Sequence, residues 1–595
     1  MLDSRLKFLT SRAEEGPAEL VGLESTGRFA LRVEGVEAPR VRVLLRVADG
    51  HGDDDLGEQF QAAGLTVLAR AGDVVGGEIE LGRLAQLDQL EAVDYVEASR
   101  PTRPELDASL PETKVDAVHA GPPPFRGAGV IVGVIDSGVD WRHACFRDPT
   151  GKTRILRIWD QNLTPKAGES SPASFGHGVE YQRSAIDAAL LSPNPLGVVR
   201  HMDDGVGHGT HVAGIAAGDG SSAGNGEPAF TFVGVAPEAE LVVVANQVTT
   251  EAMGDSMSTL EAVGYVFEVA ETLGRPAVIN ISQGDNLGPH DGSSLLERGI
   301  DNLLNAPGRA LVKSAGNAAN AGVHATGQVT EGADDVVKFV VPADDTTPDT
   351  LDIWYPGADR LSLRITPPGG TASAEVAPGT TTELDLPGGN KAFVDSVVHH
   401  SENGDNRIFV QLTRGSQTAI RPGTWNLTLT GRTVAGSGRW HAWMERGSTV
   451  PQFIGAHRDD AVTISVPGTS RKVITAASYI TKGPGVGSLS TFSSRGPTRD
   501  GRGAPTLAAP GQVITSALVG AAGPSQYQPM SGTSMAAPHL TGMCALMLQK
   551  RPTLTQAQLA AFLAGTARLD TFTGGTAGND WGAGKVDGAA AVAAA

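Results

Sequence analysis

The chain has 595 residues, and at roughly 150 residues per domain it holds more than one domain. Hydrophobic residues make up 40% and charged residues 19%, a balance that builds a large core without disulfide or metal staples. The 76 glycines and 36 prolines follow no collagen-like period, which excludes a fibrous protein, and a net charge of −19 argues against nucleic acid as a partner.

Two cysteines, Cys145 and Cys544, exclude a disulfide framework. Asp3, Arg5, Lys7, Arg12, Glu14 and Glu15 interrupt the N-terminal stretch, so it lacks the apolar segment of a secretory signal. No run of about 18 apolar residues occurs, and no membrane partner is expected. A cytoplasmic location is the simplest expectation, with export by a route lacking a signal peptide left open.

Leu2, Leu6 and Leu9 fall at helical spacing in a short first segment. From Val41 the pattern is a compact α+β unit. Val41–Val47 alternates as a strand, and Asp53–Ala63 reads as a helix whose acidic first turn suits the macrodipole. Leu65–Arg70 and Glu78–Leu81 read as strands, Leu84, Leu87 and Leu90 mark one face of a second helix, and Val93–Glu97 is a last strand. The order β-α-β-β-α-β is the ferredoxin-like split motif. The Pro-rich segment Arg100–Leu110 follows as a linker.

From Gly127 to about Asn320 short apolar runs alternate with helical stretches: Val130–Ile135, Ala239–Ala245, Ala277–Ile281 and Ala310–Ser314. Such runs predict a parallel sheet with helices on both faces. Between about Thr326 and Arg446 the texture changes to short period-two strands, clearest at Val337–Val341, Leu351–Trp354, Leu361–Ile365, Ile408–Leu412, Trp425–Leu429 and Trp440–Trp443. These predict an all-β sandwich or jelly roll. Strand-helix texture returns at Ala461. The expected divisions are 1–105, 106–325, 326–446 and 447–595, with the third inserted into an α/β domain.

Three local motifs carry chemistry. Ile131-Val-Gly-Val-Ile-Asp-Ser-Gly138 places Asp136 at the C-terminal end of a buried strand, where open α/β sheets put their sites; an Asx turn before Gly138 is the plain alternative. Gly207-His-Gly-Thr-His-Val-Ala-Gly214 starts a Gly/Ala-rich helix at His208. His208 and His211 at i and i+3 could ligate a metal, but the Glu of an HExxH site is missing, and a structural role suits His211 better. Ser531-Gly-Thr-Ser-Met-Ala-Ala-Pro-His539 opens a helix with Ser534 at its N-terminus, where a serine is otherwise a simple N-cap. Asp, His and Ser in this chain order are the subtilisin arrangement of the catalytic triad.

With these segments the sequence resembles the subtilase family of serine proteases from Gly127 to about Asn320 and from Ala461 onward. The resemblance implies a subtilisin-like α/β fold, an endopeptidase acting on protein or peptide substrates, and catalytic Asp136, His208 and Ser534. Lys313-Ser-Ala-Gly-Asn317 matches the segment that ends in the oxyanion-hole asparagine, Asn317. Ser282, Gln283 and Gly284 match the substrate-binding strand, and Ser314, Ala315, Gly316 and a residue near Ser465 border the main side-chain pocket. None of these is acidic, which argues against a strict preference for basic side chains. Phe492–Pro497, Leu507–Gly511 and Gly582–Asp587 are further segments of the family kind, and no extra C-terminal domain is expected.

The resemblance also gives the 41–97 unit a role as an inhibitory prodomain, the chain's own intramolecular partner. Self-cleavage is expected between about Arg100 and Ser109, at Glu105–Leu106 or Leu106–Asp107, the latter suiting a pocket without an acidic wall. Prodomain, core and inserted jelly roll together resemble the germination proteases of spore-forming clostridia. In many subtilases an Asp nine residues after the catalytic Asp binds calcium; here that position is Cys145, a poor ligand for a hard cation, so no cofactor is expected and a calcium requirement is disfavoured. Both cysteines read as packed thiols, and His399 and His400 as surface residues. A catalytically idle scaffold would not need Asp136, His208, Asn317 and Ser534 together, and a glycan-binding role for the insertion is a third reading.

Overall fold

The computed structural model describes residues 2, 6, 10, 13, 31–32, 39–47, 53–71, 74–98, 106–203, 205–246, 255–447, 450–522 and 525–595. It divides into two compact units, Met1–Arg103 and Pro104–Ala595. Leu9 and residues 100–105 of the expected linker lie outside the described residues, while the rest of that linker, 106–110, is not extended but helical, within Leu106–Glu112.

From Arg40 the first unit has the expected β-α-β-β-α-β order, and a two-residue strand not expected from the sequence, Leu31–Arg32, precedes it and pairs with Arg40–Val41. Its strands Arg40–Val47, Thr66–Ala71, Val74–Glu80 and Val93–Ala98 form an antiparallel sheet, with Arg40–Val47 between Val74–Glu80 and Val93–Ala98. Alternate residues Val41, Val43 and Leu45 bury one face of the sheet with Leu56 and Phe60 of one helix and Leu84 and Leu87 of the other. Leu6 joins this core. The strand Val74–Glu80 starts earlier than its sequence suggests, because Gly76–Gly77 reads as a turn and instead pairs with Leu44 and Val43.

The second unit is built on an eight-stranded sheet. Its strands are β1 (Ile131–Asp136), β2 (Ile155–Asp160), β3 (Val179–Gln182), β4 (Glu240–Ala245), β5 (Ala277–Ile281), β6 (Arg309–Ser314), β7 (Ile474–Ile480) and β8 (Leu507–Gln512), in the spatial order β8-β7-β6-β5-β1-β4-β2-β3. All neighbours are parallel except β2 and β3. The strands read as near-continuous apolar runs because both faces are covered. Val132 and Val134 of β1 point into a core shared with α1 (His208–Ala217) and α3 (Thr533–Lys550). Ile131 and Ile135 point into the opposite core with α2 (Ser256–Thr272). The buried α1 and α3 carry Gly and Ala at their contacts, so they approach each other and the sheet closely.

Between β6 and β7 the chain makes two antiparallel sheets from strands over residues 324–454. The six-stranded sheet runs His324–Gln328, Arg439–Met444, Asp349–Tyr355, Asn406–Thr413, Lys391–Val397, Thr381–Asp385, and the four-stranded sheet Asp359–Thr366, Gly423–Val434, Asp334–Val341, Gln452–Ile454. One apolar core holds both sheets face to face, with Leu351, Ile353 and Val410 from the first and Val337, Phe339, Leu363 and Trp425 from the second. Thr381–Asp385 escapes sequence analysis because it is an edge strand, polar and largely exposed. The sandwich has its own core but belongs to the same compact unit as the eight-stranded sheet. The Trp443 ring stacks on His290 at 4.2 Å, and Arg499 bridges Asp291 and Asp405 at 2.6 and 2.7 Å. His399 is exposed, while His400 is half-buried with its ring 5.0 Å from Trp354.

Candidate active site

Three neighbouring parallel strands, β6, β5 and β1, deliver site residues at their C-terminal ends. Asp136 is the last residue of β1, Ser282 directly follows β5, and Asn317 follows β6 by one short turn. Helices α1 and α3, packed on the same face, bring His208 and Ser534 to that edge. The arrangement follows from β-α connectivity, which places strand ends and helix starts on one rim.

Asp136 Oδ1 accepts a hydrogen bond from His208 Nδ1 at 2.7 Å and another from the Ser137 N–H at 2.8 Å. The carboxylate is wholly buried, whereas the His208 side chain keeps 20% exposure. The pair therefore holds one ring nitrogen in the protein and leaves the other edge toward the cleft. The start of α1 is pinned by residues that no motif singled out. Asp203 accepts from the Ser137 hydroxyl at 2.6 Å and from the Thr210 N–H at 2.9 Å, and Thr210 Oγ1 accepts from the Asp140 N–H at 2.7 Å. Gly209 is required here, because a Cβ would stand 2.1 Å from the Gly138 carbonyl oxygen. His211 is fully buried and bonds the Gln528 carbonyl, and burial pushes its pKa down to about 3. It is a neutral packing residue.

Ser534 is the second residue of α3, where the first-turn N–H groups have no partner within the helix. Pro538 stands at i+4 and has no N–H, so the Ser534 carbonyl receives no helical bond; Ser282 Oγ donates to it instead at 3.0 Å. Asn280 Nδ2 donates to Ser282 Oγ at 2.9 Å, and Thr541 Oγ1 donates to Asn280 Oδ1 at 3.1 Å. The Ser534 hydroxyl itself donates to the Ser282 carbonyl at 3.1 Å. A hydroxyl has one hydrogen, and here it is committed to the Ser282 carbonyl.

Asn317 is held by its amide oxygen. Oδ1 accepts from the Thr533 N–H at 2.8 Å and the Thr533 hydroxyl at 2.9 Å, while Thr533 Oγ1 accepts from the Gly316 N–H at 3.0 Å. With Oδ1 occupied, the amide nitrogen is the end left to donate elsewhere. Ser282–Gly284 extends from β5, and Asp285 pairs with Val466 in both directions at 3.0 and 2.8 Å. The Ser465 N–H donates to the Ala315 carbonyl at 2.9 Å. These bonds bring the segments 282–285, 313–316 and 465–466 together beside Ser534. Gln283 holds both amide atoms buried without a hydrogen-bond partner.

Lys313 opens the Asn317 segment, and the sequence motif gives it no role. Its side chain is fully buried, and Nζ donates to the Ser314 carbonyl at 2.5 Å, Ser314 Oγ at 3.1 Å and Ser465 Oγ at 3.1 Å. Burial alone pushes its pKa down to about 7.

The residues around Cys145 do not fit a calcium ion. The thiol is buried and its pKa is pushed up, so it stays protonated. The Arg154 guanidinium donates to the carbonyls of Cys145, Ala217 and Ala239, each at 2.6 Å, placing a protein cation where carbonyl oxygens converge. Cys544 is likewise a buried free thiol. No described helix is long and apolar enough to cross a membrane.

The chain is 25% identical over 526 residues to the PII-type proteinase of Lactococcus lactis subsp. cremoris, covering 79% of this chain and 25% of that protein. It is 37% identical over 139 residues to the serine protease AprX of Bacillus subtilis, covering 20% of this chain and 30% of AprX. The chain thus spans about a quarter of the length of the lactococcal relative. Among solved structures, the CspB protease of Clostridium perfringens superposes with a TM-score of 0.71 at 26% identity, covering 81% of this chain and 96% of that one. Residues 127–338 and 398–587 match the Subtilase family, and with both the sheet that carries Asp136 and the helix that carries Ser534 inside that match, the chain belongs to it.

Proposed function

We propose that this chain is a serine endopeptidase that hydrolyses peptide bonds in protein or peptide substrates through Asp136, His208 and Ser534. The observation that carries the reading is the 2.7 Å bond from His208 Nδ1 to buried Asp136, on the same rim as Ser534 and an Asn317 amide oriented by Thr533. His208 Nε2 takes the Ser534 proton as Oγ attacks the scissile carbonyl carbon. Asp136 holds the tautomer and stabilises the imidazolium. The Asn317 amide and the Ser534 N–H donate to the oxyanion, each such donor contributing on the order of 10²–10³ in turnover. Collapse breaks the C–N bond, and the imidazolium returns its proton to the leaving amine. Water then attacks the acyl-enzyme, giving its proton to His208, and Ser534 is restored.

The first unit acts as the prodomain and intramolecular inhibitor; its β-α-β-β-α-β order and the unit boundary at Arg103, within the expected processing window, support this. The chemistry needs no calcium at Cys145, since Arg154 supplies the positive charge there. Sulfonyl-fluoride labelling of Ser534 and comparison with Ser534→Ala test the proposal. Because triad members act as a unit, the variant should lose about 10⁶ in turnover. Full peptidase activity in Ser534→Ala overturns it.

A further inference from the structure

The pocket expected beside Ser534 is bordered by Ser282–Gly284, Ser314–Gly316 and Ser465, and Lys313 Nζ bonds Ser314 and Ser465 of that border. Two features of this lysine are unusual. First, it is wholly buried, yet its three hydrogen bonds all go to neutral oxygens, of Ser314 and Ser465. A buried ammonium normally faces a carboxylate, because desolvation is costly without an opposite charge. Second, only a missing side chain separates it from the rim. A Cβ built on exposed Gly284 would stand 3.0 Å from Lys313 Nζ. The ammonium is thus one atom layer below the strand along which an extended peptide would lie.

We propose that Lys313 makes this pocket select an acidic side chain, aspartate or glutamate, at the residue whose carbonyl is attacked. The proposal rests on the endopeptidase reading above. The carboxylate supplies the negative charge that the folded chain does not place beside Nζ. One of the N–H groups that now reach the Ser314 and Ser465 hydroxyls turns to it as a charge-assisted hydrogen bond, and the hydroxyl so released turns its own hydrogen toward the carboxylate. An amide of the same shape keeps the volume but loses the charge. A basic side chain meets a like charge in a desolvated site.

The test is a set of peptide anilides identical except at the residue before the scissile bond, carrying Glu, Gln, Asp, Asn, Leu or Lys, with kcat/KM measured on the full chain. Glu or Asp should exceed its amide counterpart by roughly 10- to 10²-fold, the size of one hydrogen bond to a charged group. Lys313→Met should invert the order, with Leu above Glu. Cleavage of the whole set with no preference of acid over amide overturns the role of Lys313 and leaves the endopeptidase reading standing. No cleavage of any member, together with an unlabelled Ser534, overturns both. The wild-type measurement decides the matter even if Lys313→Met fails to fold.

Discussion

Thr533 holds Asn317, the proposed oxyanion-hole residue, and its removal has a size that can be worked out from the contacts. In Thr533→Val the backbone N–H still donates to Asn317 Oδ1, but the hydroxyl bond at 2.9 Å is lost and the Gly316 N–H loses its acceptor at 3.0 Å. One neutral hydrogen bond contributes about 0.5–1.5 kcal/mol, and a donor left unmet in a half-buried place costs about 1–3 kcal/mol. Some of that loss is made up by solvent at Gly316, so the net effect on the amide's orientation is about 1–2 kcal/mol, a fall in kcat of roughly 5- to 30-fold. This is smaller than the 10²–10³ expected, to order of magnitude, for Asn317→Ala, which removes the donor itself. Thr533 acts through Asn317, so the two losses must not multiply. Steady-state kinetics on wild type, the two single variants and the double variant form a complete cycle. The double variant should match Asn317→Ala in kcat, with KM changed little throughout. A Thr533→Val loss that persists undiminished in the Asn317→Ala background would refute the argument, because Thr533 would then act on Ser534 by another route.

Three further outcomes follow from the same contacts. Arg154→Met leaves three buried carbonyls without their donor and should lower stability by about 3 kcal/mol or more, read as a drop in melting temperature, whereas a chelator should leave the wild-type transition unmoved; a large chelator effect with a small Arg154 effect would sink the assignment of that site. The folded chain releases the Lys313 proton near pH 7 while the unfolded chain keeps it to its ordinary value of 10.5, so the folded state holds fewer protons between these limits and stability rises with pH across that window. Lys313→Met should therefore stabilise the fold most below pH 7 and progressively less toward pH 10, and a pH-independent difference in melting temperature would count against a buried ammonium. If Lys313 selects acids, self-processing belongs at Glu105–Leu106 rather than Leu106–Asp107, giving a chain that begins at Leu106, the first residue of the helix Leu106–Glu112; mass spectrometry that finds Asp107 as the new terminus would contradict this.

Much of the site was legible in the sequence because its chemistry is local. Asp136 ends an apolar strand, and His208 and Ser534 open Gly- and Ala-rich helices, so short stretches of chain carry both residue and placement. The β-α-β-β-α-β unit was legible for a similar reason, since its alternation and helix faces are set by neighbours a few residues apart. The residues that orient the site were not. Asp203 is tied to Ser137 and Thr533 to Asn317, partners that only the fold brings together.

Lys313 marks the division most clearly. In sequence it sits in the apolar run Ala310–Ser314, where a lysine suggests an end that reaches solvent. In the structure the neighbouring strands and the Ser465 segment close over it, and its ammonium finds only hydroxyl and carbonyl oxygens. The sequence by itself determined which groups can react and where the strands and helices that hold them begin. The tertiary structure alone decided which amine is buried among neutral oxygens beside Gly284, because desolvation depends on what packs around a side chain and not on its neighbours in the chain.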